Sequence, residues 1–164
     1  MPSKYLSIRD YLPRQRLAGG LPASPTRVEP RILLVDDYRH SLEGLRDAFV
    51  TVGWSVEIAG DSWQAVRKIR DGGFDVAVID LDLPPVHGVT VSGWDLVRIC
   101  RVFNPEVPIV VVSADGSPEA GMLAERLRVA KLLVKPIDIA ELKVAIRGAG
   151  GTRPAGAPQS QASL

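Results

Sequence analysis

Cys100 is the single cysteine among 164 residues, so no disulfide can close within the chain. A chain of this length buries enough surface to fold without disulfides or a structural metal, and Cys100 reads as a small buried hydrophobe. Long apolar runs are also missing. Nothing approaches the roughly 18 residues that would span a bilayer, and the N-terminus lacks the apolar stretch of a secretory signal, so a cytoplasmic location without membrane insertion is expected. An excess of one charge is absent as well, with a net charge of +1. Residues 1–30 carry five Lys/Arg against two Asp/Glu and the tail adds Arg153, which leaves Arg31 to Arg147 at −3. That balance lacks the basic face of a nucleic-acid binder.

What is present is ordinary for one globular domain, at 46% hydrophobic and 24% charged residues. Pro13, Pro22, Pro25 and Pro30, with Gly19 and Gly20, break any periodic element and mark residues 1–30 as a flexible extension and linker. Ile8, Tyr11 and Leu12 at helical spacing leave a short docking helix or a frayed terminus open. Residues 148–164 are small and nearly free of large apolar groups, so a disordered tail is expected.

Between these tails, residues 31–147 alternate strand and helix patterns five times. "RILLVDD" is an apolar run, and "SLEGLRDAFVTVG" places Leu42, Leu45, Phe49 and Val52 on one helical stripe. "WSVEI" alternates like an edge strand. Asp61 or Ser62 can cap a helix carrying Trp63, Val66 and Ile69. "FDVAVID" begins the third strand, and Trp94, Leu96, Val97 and Cys100 share a helix ending near Asn104. "VPIVVVS" is apolar throughout, as a strand buried on both faces is. Ser117-Pro118-Glu119 opens a fourth helix, "KLLVKP" is the fifth strand, and Asp138 with Glu141 suggests a capping box for a last helix closed by Gly148. Five such units predict an α/β, doubly wound parallel sheet with helices on both faces, and for the strand order 2-1-3-4-5 of flavodoxin-like sheets the winding reverses between the first and third strands. Ligands of such sheets sit beyond the C-terminal strand ends, where winding reverses.

The first and third strands there end on Asp36-Asp37 and Asp80. Neighbouring strand ends are about 5 Å apart, and two unit charges ~4 Å apart repel by ~4 kcal/mol at an effective dielectric near 20. A hard divalent cation relieves the strain, and Mg²⁺ favours carboxylates, waters and a phosphate. Ser113 and Lys135 end the fourth and fifth strands at the same edge, where a hydroxyl and an ammonium could hold phosphoryl oxygens. Read singly, each has a plainer explanation: a helix cap for Asp36 or Asp37, a backbone-satisfied hydroxyl for Ser113, a solvated strand-end charge for Lys135, and polar strand-end markers for Asp80 and Asp82.

The acid pair in "LLVDD", Asp80 in "VIDLDLP", Ser113-Ala114 in "VVVSA" and Lys135-Pro136 in "VKP" occur in order at successive strand ends. In these motifs, Arg31 to about Arg147 resembles a bacterial response-regulator receiver domain of two-component systems. The resemblance implies that Asp80 accepts a phosphoryl group from a phosphohistidine on a sensor histidine kinase or a histidine phosphotransfer protein. It also implies that Asp37 and Asp80 bind Mg²⁺ directly, Asp36 through water, and Asp82 by its backbone carbonyl. Ser113 and Lys135 would hold phosphoryl oxygens, Ala114 would keep a backbone donor open, and Pro136 would follow a cis peptide. Output would be an altered protein surface, conventionally the fourth helix, fifth strand and fifth helix, which is also a possible homodimer face. The 17 residues after Arg147 are too few for an output module, so a stand-alone receiver is expected, with an unknown downstream protein target.

Departures from the family pattern are visible too. Leu132 stands where the family usually has an aromatic switch residue. Five extra residues, "VTVSG", separate Gly88 from "WDLV", so either Gly88 or Gly93 fills the family's glycine position. His87 lies in this stretch, which reads as tolerated surface length or as a lid or kinase-specificity element. Asp82 and Asp115 flank the mouth and are expected to slow hydrolysis of the phosphoryl group. Two other functions stay open: a phosphorylation-independent interaction module, and a haloacid-dehalogenase-type phosphatase, whose DxD motif Asp80-Leu81-Asp82 imitates. Phosphatases of that type place their further acids after the lysine, whereas Asp36-Asp37 comes first.

Overall fold

A computed structural model describes residues 30–150, with the side chains of residues 39–42 excepted. Residues 1–29 of the extension and 151–164 of the tail lie outside the described residues. In chain order the elements are β1 (Arg31–Val35), α1 (Arg39–Val50), β2 (Ser55–Ala59), α2 (Ser62–Asp71) and β3 (Val76–Asp80). They continue with α3 (Gly93–Phe103), β4 (Ile109–Ser113), α4 (Pro118–Arg126), β5 (Lys131–Val134) and α5 (Ile139–Ala149). All pairings are parallel, in the order β2-β1-β3-β4-β5.

Every residue of β3 and β4 is buried, because helices cover both faces of the central strands. On one face Leu33, Ile79 and Val111 pack with Ile69 of α2 and Leu96, Val97 and Cys100 of α3. On the other, Leu34, Val78 and Val112 meet Phe49 of α1 and Leu142 and Ile146 of α5. Each such aliphatic side chain contributes roughly 1.5–3 kcal/mol on burial, so the central strands form a stiff platform. Trp54 stacks on Phe49 with ring centroids 5.4 Å apart, and Arg147 of α5 lies 5.6 Å over the Trp54 ring. Burial pushes the Cys100 thiol up to about 11.

Helix ends follow local chemistry. Asp61 caps α2 by accepting from the Gln64 amide, and Ser117 caps α4 with Pro118 in the first turn. Asp138 accepts from the Glu141 amide at the start of α5. A reciprocal capping box stands at α3 instead, between Ser92 and Asp95, and its Ser-x-x-acid spacing is legible in "SGWD". Three expectations need correction. Val52 lies past the end of α1 and is 39% exposed, because the chain turns out through residues 51–53. Trp63 is 46% exposed, and α2 buries Ser62, Ala65 and Ile69 in its place. The last helix runs through Gly148 to Ala149 and is capped at Gly150.

The stretch after β3 settles which glycine is required. Val86 and Val89 pair in an antiparallel bridge across His87 (φ 50°) and Gly88 (φ 73°), a tight hairpin turn with two left-handed residues. Of the five extra residues only Val89 closes this hairpin, while Ser92 and Gly93 form the cap and first residue of α3. A Cβ at Gly88 would meet open space, whereas one at Gly93 would lie 2.4 Å from Leu81 Cα and 2.8 Å from Asp80 O. Gly93 lets α3 start hard against the end of β3. Gly93→Ala is expected to destabilise the domain by about 1–3 kcal/mol, and Gly88→Ala, strained only by its φ, by about 1–2 kcal/mol. Urea denaturation of both variants checks the order.

Candidate functional site

The strand register places the site. Val35 of β1 pairs with Ile79 of β3, Asp80 with Val112 of β4, and Ser113 with Val134 of β5. The next residues, Asp36-Asp37 and Lys135, therefore leave the sheet on the same edge as Asp80 and Ser113. Backbone bonds carry the ladder past the strands, from Leu81 N–H to Val112 O at 2.9 Å and from Lys135 N–H to Ser113 O at 2.8 Å.

One carboxylate oxygen from each of Asp36, Asp37 and Asp80 lies within 4.8 Å of the others. Asp80 is 4% exposed and Ser113 1%, while Asp37 is exposed. Both Asp80 oxygens are engaged. Oδ1 accepts the Asp82 N–H at 2.8 Å, and Oδ2 accepts from Lys135 Nζ at 2.7 Å. Asp36 Oδ1 accepts the Tyr38 N–H at 2.9 Å, but Tyr38, not an aspartate, is the N-cap of α1. Helix capping therefore does not account for the acid pair.

Burial chiefly holds the Asp36 carboxyl above its usual range, with the Tyr38 N–H opposing and the negative charges of Asp80 and Asp37 reinforcing it. For Lys135, burial works against the ammonium, yet hydrogen bonds and charges from Asp80 and Asp82 outweigh it and hold the group above the usual lysine range. Asp82 Oδ2 lies 3.3 Å from Lys135 Nζ and accepts the Ala114 N–H at 2.9 Å. Asp115 is turned elsewhere. It accepts the Ser117 N–H at 2.8 Å ahead of α4, and bonds to Ser117 hold its carboxyl below the usual range. Ser113 Oγ accepts the Asp115 N–H at 3.0 Å, leaving its own proton to donate. The Lys135-Pro136 peptide is cis. Leu132 is partly buried against the cluster that includes Val111 and Leu96.

The structure thus brings Asp36, Asp37, Asp80, Asp82, Ser113, Ala114 and Lys135 to one strand edge, with Leu132 one layer below, while the Asp115 carboxylate is turned to Ser117 at the start of α4. What the sequence did not disclose is the reach of the Asp82 side chain across to Ala114 and Lys135. A family model for the response regulator receiver domain matches residues 32–147.

The chain belongs to the response-regulator receiver family.

Among curated proteins, the transcriptional regulatory protein CusR of Escherichia coli K12 is 30% identical over 117 residues, which are 71% of this chain and 49% of CusR. This chain spans about half the length of the curated relatives it matches. Among solved structures, the non-phosphorylated receiver domain of HemR from Leptospira biflexa is 27% identical with a TM-score of 0.69, covering 77% of this chain and 98% of that one. The receiver domain of the sensor histidine kinase PA1611 from Pseudomonas aeruginosa PAO1, at 24% identity and a TM-score of 0.64, covers 76% of this chain and 99% of its own, and holds a magnesium ion in its active-site cleft. Membership of the receiver family leaves the haloacid-dehalogenase-type alternative without support.

The raised Asp36 carboxyl has a measurable consequence without metal. The native protein holds the Asp36 proton more tightly than the unfolded chain does, so the associated stability is complete below the ordinary Asp value of about 4. It is lost as pH rises through the raised native value. In chelator at pH 7, Asp36→Asn, which keeps an oxygen for the Tyr38 N–H, is expected to melt higher than wild type. The gap should close as pH falls below the carboxylate range, as followed by calorimetry.

Proposed function

We propose that this receiver accepts a phosphoryl group on Asp80 from a phosphohistidine of a sensor histidine kinase or a histidine phosphotransfer protein, and signals through altered protein–protein contacts. The observation that carries the reading is the meeting of Asp36, Asp37 and Asp80 oxygens within 4.8 Å, with Lys135 ion-paired to Asp80 and Ser113 on the adjoining strand.

The donor set fits Mg²⁺, since the three clustered groups are all hard carboxylate oxygens at an open strand edge. Asp37 and Asp80 would hold the ion directly, Asp36 through water, and the Asp82 backbone carbonyl would add a further oxygen. When bound, the ion supplies positive charge to the acids and to the incoming phosphoryl oxygens.

One Asp80 oxygen attacks phosphorus along the line of the P–N bond. The new P–O bond forms as the P–N bond breaks, its electron pair passes to the imidazole, and an acyl phosphate remains on Asp80. Lys135 follows the charge from the carboxylate to the transferred oxygens. Ser113 Oγ–H and the Ala114 N–H supply further donors. Asp82 and Asp115 at the mouth slow the water that later removes the group. Output passes through the face of α4, β5 and α5, where Met122, Val134 and Val144 are exposed, and the same face offers a route to homodimers. No nucleic-acid contact is proposed for residues 31–147, which carry a net −3. Among the described residues no helix is long and apolar enough to cross a membrane, and a cytoplasmic site of action is part of the proposal.

Leu132 favours a second reading, an interaction module that is never phosphorylated, because the position lacks the family's aromatic. Incubation with a small phosphodonor and Mg²⁺ decides between them. Wild type is expected to gain the mass of one phosphoryl group by intact mass spectrometry, and Asp80→Asn none; no adduct with any donor would establish the module instead. A receiver acting as a single domain is expected to be recovered from cells at the mass of these 164 residues, whereas a longer product would couple it to an effector.

A further inference from the structure

Asp82 Oδ2 joins two donors at once, the Ala114 N–H at 2.9 Å and Lys135 Nζ at 3.3 Å. These are two of the donors that the function proposed above assigns to the oxygens of phosphorylated Asp80. The Asp82 N–H meanwhile donates to Asp80 Oδ1 at 2.8 Å, which ties the backbone of Asp82 to the nucleophile. Only the side chain is left free to turn away. The two carboxylates differ in solvation, with 41% of the Asp82 side chain exposed against 6% for Asp80. Asp82 can therefore rotate into water at little desolvation cost, and Asp80 cannot.

We propose that the Asp82 carboxylate occupies the phosphoryl seat in the resting protein, as an internal anion that must vacate Ala114 and Lys135 before Asp80 can be phosphorylated. This rests on the function proposed above. An incoming phosphoryl oxygen and the Asp82 oxygen seek the same N–H and the same ammonium, and two anions do not share one small seat without strong repulsion. Occupancy has a second effect. Lys135 is held between Asp80 and Asp82, at 2.7 Å and 3.3 Å, so the ammonium waits at the seat with both partners in place. Asp82 thus acts on the reaction by competing for donors and by positioning Lys135.

The test uses the full chain as wild type, Asp82→Ala and Asp82→Asn. Without metal, loss of the charged acceptor in Asp82→Ala should shift the Ala114 backbone amide proton upfield in NMR spectra, while the Ser117 amide, bonded to Asp115, stays in place. With Mg²⁺, beryllofluoride as phosphoryl analogue should bind Asp82→Ala more tightly by roughly three- to tenfold, the range set by one half-exposed ion pair and one charge-assisted hydrogen bond. The rate of phosphorylation by a small phosphodonor should rise by a similar factor. Asp82→Asn, which keeps an oxygen for Ala114 but no charge for Lys135, should fall between.

An unmoved Ala114 amide overturns the proposal even if affinity rises, because the gain would then come from bulk charge. Equal or weaker beryllofluoride binding by Asp82→Ala overturns it as well, since Asp82 would then assist the seat and not block it. A wild type that takes no phosphoryl group from any donor overturns the function proposed above together with the seat. A phosphorylated wild type with no gain in Asp82→Ala overturns the seat alone.

Discussion

The 2.7 Å ion pair between Lys135 and Asp80 is what allows a cluster of like charges to persist at the rim of a closely packed sheet. Asp80 is almost fully buried and has two further acids within reach, a combination that burial and repulsion both oppose. An ammonium from β5 offsets part of that charge only because β3, β4 and β5 are parallel and in register, so that their C-terminal ends reach one level. The two apolar layers fix that register. Sliding any central strand by one residue would turn its buried side chains to the opposite face. Packing thus controls the electrostatics of the site from a distance.

The arrangement is tense by construction. The Asp36 carboxyl is raised chiefly by burial, with the charges of Asp80 and Asp37 adding to it, and the Lys135 ammonium is held charged by the two carboxylates of Asp80 and Asp82. Such an excess of carboxylate oxygens suits a hard divalent cation, which offsets the repulsion among them. Asp82 adds to the excess yet finds partners of its own, which distinguishes it from Asp115, whose carboxylate is turned to the start of α4. Two acids that look equivalent in sequence, each two residues beyond a key side chain, thereby have different surroundings.

Length added beside the site is absorbed without disturbing it. A hairpin closed by Val86 and Val89 precedes the remaining extra residues, and Gly93 lets α3 approach the end of β3 closely. Beneath the site, Leu132 packs against the core in the place of an aromatic, offering less area to turn inward or outward.

The sequence alone determined the elements and the chemistry of the strand ends. Alternation of apolar runs with 3.6-residue stripes marked all five units, and Asp36, Asp37, Asp80, Ser113 and Lys135 could be read at their termini because periodicity and capping are local properties. It misjudged Val52, which lies past the end of α1, and Trp63, which stands one residue off the Ser62, Ala65 and Ile69 face that α2 buries. Only the tertiary structure decided between Gly88 and Gly93, and only it brought the Asp82 carboxylate to the Ala114 amide, 32 residues further on. Both depend on the path a loop takes through space against a neighbouring strand, and no pattern within one segment encodes that distance.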